Sequence, residues 1–289
     1  MKKTFFAVFL AASFFVFQTS AFDWPQKEIT SKSFYTFFGH LRGQRFCPSI
    51  VFSGSTEIKT VESGRVKIVL SEHDEETDLF ESTLGNAVII EHEDQMMSVY
   101  ANLDISGQTK RYKLTNAEAG TALGECGNSG WQEGNGLLEF QIIDEKNKAF
   151  VNPRILMPHL GDELPLSIKS VSALNVKSGA SYDLRTQTTI PSGVYRIYRE
   201  LQTPAMPYKT TILINGVSVE NITYDTLVQE KGKLCTSGKG KYPSEVVYPD
   251  EKRHMIGEIT IPKGRNRISV EVENISGKSL LSNYILTAY

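Results

Sequence analysis

Short runs of alternating apolar and polar residues follow one another along most of the chain, and no long stretch carries the 3.6-residue period of an amphipathic helix. In the first half such runs fall at Thr56–Val61, Arg65–Leu70, Ala87–His92, Met97–Leu103, Leu114–Ala117 and Leu137–Ile142. Each is strand-length and bounded by turn residues. Glu62-Ser63-Gly64, between the first two, reads as a hairpin turn, and Met97–Leu103 reads as the hairpin partner of Ala87–His92. In the second half the runs fall at Ser167–Leu174, Tyr182–Thr189, Gly193–Leu201, Thr211–Ile214, Val217–Ile222, Met255–Ile261, Arg267–Val272 and Tyr284–Ala288. Asn215-Gly216 separates Thr-Ile-Leu-Ile from Val-Ser-Val and is a strong two-residue hairpin signal. The pattern predicts an all-β chain.

Punctuation divides that pattern. Pro153, Pro158, Gly161 and Pro165 crowd one stretch, which predicts a first domain over 38–158, a linker over 159–166 and a second domain over 167–289. Many short strands with turns between them make the second domain a β-sandwich of immunoglobulin-like or jelly-roll type. Residues 22–37 form a lead-in, ending in aromatics (Phe34, Tyr35, Phe37, Phe38) that read as core or interdomain packing. Ser71–Leu84 is acidic and reads as a solvated loop; Gly232–Tyr248, with Lys233, Lys239 and Lys241 among glycines, reads as a mobile basic loop.

Residues 1–21 have the layout of a signal peptide: Lys2 and Lys3, an apolar run from Phe5 to Phe17, and the small-residue site Thr19-Ser20-Ala21. The run is shorter than the roughly 18 residues that span a bilayer. The mature chain is therefore expected to start near Phe22, without a membrane span, in a periplasmic or extracellular setting.

Charge and cysteine content narrow the picture a little further. With 31 basic against 33 acidic residues, no global field points to nucleic acid. Three cysteines, Cys47, Cys126 and Cys235, leave at least one unpaired within a monomer; a Cys47–Cys126 bridge and three free thiols both stay open.

The stretch from Gly120 to Pro153 carries the most specific signal. Gly-Glu-Cys-Gly-Asn-Ser-Gly (124–130) leads into the strand Leu137-Leu-Glu-Phe-Gln-Ile142, and Asn152-Pro153 follows. Together with Phe46-Cys-Pro-Ser-Ile-Val-Phe52, Gly85–His92 and Tyr100-Ala-Asn-Leu103, this resembles the β-sheet core of the M23 peptidases, lysostaphin-like zinc endopeptidases that cut peptidoglycan cross-bridges. The resemblance covers roughly 38–158. It implies an antiparallel β-sheet domain with a groove. By position, it places the family's three zinc ligands on Cys47, Val51 and Glu139, and its two catalytic histidines on Asn102 and Leu137. Every one of those positions is changed. The resemblance then implies a non-catalytic, cofactor-free domain that binds a cell-wall hydrolase or peptidoglycan, with Tyr100, Asn102, Trp131 and Glu139 lining the groove. The alternative is a divergent zinc metalloendopeptidase in which His40 or His92 supplies a replacement donor to Cys47 and Glu139.

Overall fold

A computed structural model of the chain describes residues 21–54, 57–72, 80–130 and 136–289. Residues 1–20 of the expected leader, the acidic residues Asp74, Glu75, Glu76 and Asp78, and Trp131 lie outside the described residues. Among those described, no helix is long and apolar enough to cross a membrane.

The fold is all-β, and one sheet runs through both halves of the chain. Its first part is an antiparallel array in the order Gly64–Leu70, Ala87–Glu91, Met96–Ala101, Glu139–Asp144, Ala149–Val151. The short strand Ile50–Phe52 pairs with the start of Glu139–Asp144 on the side away from Met96–Ala101, where Ala149–Val151 takes the later residues. The array continues into the second half because Ala149–Val151 pairs with Thr226–Val228. Those residues belong to a 14-residue strand, Val217–Glu230, whose earlier part pairs with Lys209–Ile214. Gly264–Glu273 and Ser279–Ala288 complete this sheet. A second sheet, Ser181–Asp183, Ser172–Asn175, Gly193–Glu200 and Arg253–Ile261, packs on it to make a sandwich. Ile197, Ile212, Ile259 and Val270 fill the space between, as alternation along each strand requires.

The sequence divides the chain more sharply than the packing does. One core cluster takes Phe38, Phe46, Tyr100 and Phe140 from the first half together with Tyr198, Tyr224, Tyr248 and Met255 from the second. At its centre His254 stacks on Tyr248 at 5.0 Å and bonds Tyr224 Oη at 2.7 Å, while the fully buried Arg199 donates to His254 Nδ1 and to Ser167 O. Gly39 marks a close approach of the two halves: it sits at φ 81°, and a Cβ there would stand 2.9 Å from the Tyr224 ring. The expected linker is pinned too, by a buried Arg154–Glu163 pair at 2.5 Å and by Trp24 Nε1 donating to Pro158 O.

Three local readings need correction. Thr56–Val61 and Arg65–Leu70 do not form a hairpin. Ile58–Lys59 pairs with Ala122–Gly124, and Gly64–Leu70 pairs with Ala87–Glu91. Gly64 serves close approach rather than a turn, since a Cβ there would lie 2.4 Å from Glu91 O. Gly232–Tyr248 is not a basic loop but the strands Lys233–Ser237 and Lys241–Pro243 with a helical turn at Ser244–Val247. Its lysines point out while Cys235, Thr236, Tyr242 and Val247 point in. Tyr182–Thr189 splits between Ser181–Asp183 and Thr189–Ile190, which join different sheets. Of the aromatics at 34–38, Phe34, Phe37 and Phe38 are buried and Tyr35 is exposed, and no disulfide joins the three cysteines.

The shared core makes two outcomes measurable. Both tryptophans lie in the first half, so urea unfolding followed by tryptophan fluorescence and by far-UV circular dichroism is expected to give coincident midpoints. Burial, reinforced by the Arg199 charge, lowers His40 from 6.5 to about 4, and burial holds His254 well below its ordinary range. Between those values the unfolded chain takes up protons that the folded one refuses, so stability is expected to fall as pH drops from 6.5 towards 4. Urea midpoints across that window, with a shallower slope in His40→Gln, check this.

Candidate functional site

Glu139 opens the central strand of the first array and is 4% exposed. Alternation fixes its company. Phe140 and Ile142 face the hydrophobic core, so Glu139 and Gln141 face the other way. The register sets Val51 and Ala101 on either side of Glu139. Ser49 lies two residues before Val51 on the same face, and its hydroxyl donates to Glu139 Oε1 at 2.5 Å. Gln141 Nε2 reaches Ser49 Oγ at 3.2 Å and Glu139 Oε1 at 3.3 Å. Arg42 Nη1 donates to Glu139 Oε2 at 2.8 Å. The Glu139 charge and hydrogen bond hold the Arg42 guanidinium above its ordinary pKa, although burial alone would lower it.

Arg42 comes from the tight hairpin Leu41–Phe46, and the second half of the chain braces that hairpin. Ser244 Oγ donates to Gln44 O, Tyr248 Oη donates to Gly39 O, and the Phe46 and Tyr248 rings meet edge-on at 5.9 Å. Cys47 follows directly, fully buried, with its thiol directed to Ser49 O at 3.5 Å. Burial pushes that thiol up, away from the thiolate a metal needs.

Asn102 sits at φ 64° just past the end of Met96–Ala101 and is 1% exposed. Its Nδ2 donates to Leu137 O at 2.7 Å, and its Oδ1 accepts from Ser129 N at 2.6 Å and Ser129 Oγ at 3.1 Å. Its backbone N–H donates to Leu84 O, and its carbonyl accepts from Gly127 N. Three loops are thus tied to one amide. Gly85 and Gly130 explain the glycine-rich signal, because a Cβ on Gly130 would lie 2.5 Å from Gly85 N.

The five positions therefore lie in one neighbourhood: Cys47, Val51 and Glu139 in one cluster, and Asn102 and Leu137 in a second joined to it through the start of the same strand. They do not fit zinc. Val51 has no donor atom, Cys47 is held as a neutral thiol, and Glu139 is already committed to a guanidinium. His40 is drawn into the interdomain core beside Arg199, and His92 bonds Ser63 O and Ser98 Oγ, so neither supplies a third ligand. Among the described residues no cluster of three His, Cys, Asp or Glu side chains has metal-binding geometry.

The groove lining needs correction. Tyr100 is fully buried; it packs on Phe140 at 5.2 Å, and its hydroxyl serves Val61 N and Ser98 Oγ. It shares its face with Phe140 through the register, which turns it into the core. Asn102 and Glu139 are also buried, with their polar atoms engaged by the fold, so they do not present hydrogen-bonding groups to a ligand. What reaches the surface here is Arg42 and Leu137, both half-buried. Arg42, Ser49 and Gln141 are members of this cluster that the motifs do not single out. Alternation from Glu139 and Val51 would have found Ser49 and Gln141; Arg42 carries no such signal.

Residues 49–153 match the family model described as Peptidase family M23. The first domain is M23-like. A second family model matches residues 165–289. An uncharacterized protein of Treponema pallidum (strain Nichols) is 29% identical over 147 residues, which is 48% of this chain and 97% of that protein.

Removing the cation from this M23-like centre is expected to be costly. Breaking a buried pair leaves an unpaired charge, roughly 3–5 kcal/mol, and the partial exposure of Arg42 puts Arg42→Ala near the low end. Adding Glu139→Gln, which keeps the Ser49 contact, is expected to recover most of that loss. Urea midpoints of the wild type, the single and the double variant measure it.

Proposed function

We propose that the M23-like domain is non-catalytic and serves at the cell envelope as a module that binds a peptidoglycan hydrolase or peptidoglycan itself. One observation carries this reading. The carboxylate at a family metal-ligand position is closed internally by Arg42 and Ser49, while the glycine turns that shape the family groove persist around Asn102.

Hydrolysis in this family depends on a zinc-bound water and on groups that exchange protons with it. An amide, an aliphatic side chain and an arginine-paired carboxylate offer neither. Contact with a partner would fall to the surface over the old centre, at Arg42 and Leu137. Trp131, which lies outside the described residues, is set in the groove by the resemblance and would supply apolar contact area there. An envelope location rests on the leader-like residues 1–21 together with the link between M23 domains and peptidoglycan processing.

The test uses the full protein, because the halves share a core. Purified protein is expected to hold substoichiometric zinc by elemental analysis and to release no fragments from dye-labelled peptidoglycan. It is also expected to co-sediment with peptidoglycan or to accelerate a zinc-containing M23 hydrolase acting on it. Stoichiometric zinc that is lost on Glu139→Ala would overturn the non-catalytic reading, and the absence of both binding effects would overturn the module.

A further inference from the structure

Gly264–Glu273 lies between Lys209–Ile214 and Ser279–Ala288 in the sandwich's larger sheet. Ile268, Val270, Tyr284 and Leu286 point into the sandwich core, so alternation turns Arg265, Arg267 and Ser269 to the outer face together with Asn283 and Ile285. The Asn215-Gly216 turn stands next to Arg267, with Asn215 N donating to Arg267 O. These residues and Leu281 line one concavity of about 640 Å³. Sites for small ligands run from roughly 300 to 1,000 Å³, so it has room for a short peptide.

The polar atoms that line it are left as donors. Asn215 Oδ1 accepts from Arg267 N at 2.8 Å, and Asn283 Oδ1 accepts from Ser269 Oγ at 2.7 Å. Each amide is thereby fixed with its oxygen engaged and its Nδ2 to spare. Among the described residues neither Nδ2 has a hydrogen-bond partner, and neither the Arg265 nor the Arg267 guanidinium has a hydrogen-bond or ion-pair partner. Arg196 and Arg253, on the opposite sheet, hold Glu258 and Asp250. No carboxylate lines the concavity; Glu271, the next outward residue after Ser269, stands beside Leu281 outside the lining. Arg267 is paired in register with Ile285, which puts aliphatic surface directly beside a guanidinium. Leu281 and Ile285 are 57% and 48% exposed.

We propose that this concavity binds the carboxylate-bearing stem peptides of peptidoglycan. Arg265 and Arg267, two residues apart on one face and so roughly 7 Å from each other, take stem carboxylates, for which the guanidinium fork is the matching donor. The amides of Asn215 and Asn283 donate to stem carbonyls, and Leu281 and Ile285 pack on the alanine methyl groups between them. The proposal rests on the envelope reading above, and it assigns wall contact to the second half of the chain, apart from the surface over Glu139.

Isothermal titration of the full-length protein with a soluble disaccharide–tetrapeptide carrying free stem carboxylates tests this. Saturable binding is expected. Arg265→Gln combined with Arg267→Gln should weaken it by at least about 10-fold, and amidating the stem carboxylates should weaken wild-type binding about as much. Both arginines are exposed, so the melting temperature should stay where it is. Arg185→Gln, at an exposed arginine outside the concavity, should bind as the wild type does. The proposal is overturned if the wild type does not bind the fragment, or if the double variant or the amidated fragment binds as tightly. A wild type that ignores the fragment yet accelerates the hydrolase loses this site and keeps the module reading. Arginine-dependent binding by a protein that carries stoichiometric zinc keeps this site and loses the non-catalytic reading.

Discussion

A carboxylate shut away from water on the central strand of a sheet has to be met by a positive charge and by donors for its remaining lone pairs. Glu139 finds the charge in Arg42 and the donors in Ser49 and Gln141. Much of the first half is arranged so that this can happen. The hairpin that carries Arg42 must lie over the strand end, Cys47 must tuck beneath it, and Ile50–Phe52 must run in register with the start of the Glu139 strand. A zinc centre asks the same strands to converge on one point. Here they converge on a hydrogen-bonded ion pair.

The second half is part of that arrangement. Tyr248, Ser244 and the ring of Phe46 fix the Arg42 hairpin from outside the first domain, and Val217–Glu230 belongs to the strand pairing of both. Interdomain contacts between separable modules are usually small and polar. This one buries Tyr224, Tyr248, Met255 and His254 completely or nearly so, around the Arg199 guanidinium, which donates to His254 Nδ1 and to Ser167 O. The two sequence domains therefore behave as one packed body.

Much of this was legible in the residues. Period-two alternation gave the strands at Ala87–Glu91, Met96–Ala101, Lys209–Ile214 and Gly264–Glu273 to within a few positions, because each buries one face. The glycines at 85 and 130 belong to the motifs that carry the resemblance, and they sit where crowded backbone excludes a Cβ. Pairing was less legible. Gly64 looks like a turn residue, yet its role depends on Glu91 in a distant strand; the lysines of 231–241 hide the alternation of Cys235 and Tyr242. Tyr100 and Asn102 were misplaced for a related reason. The resemblance sets them in a lined groove, and only the three-dimensional register shows that their partners are Val61, Ser129 and Leu137. Arg42 stayed invisible because its partner lies 97 residues away.

The tether on Arg42 has a consequence of its own. A metal ion is a loan from the surroundings: chelators and competing proteins withdraw it, and its supply varies with the habitat. A guanidinium delivered by a covalently attached hairpin, itself clamped by the neighbouring half of the chain, cannot be withdrawn. The geometry around Glu139 is thus set by the polypeptide alone, and the surface above it keeps one shape whether zinc in the surroundings is plentiful or scarce.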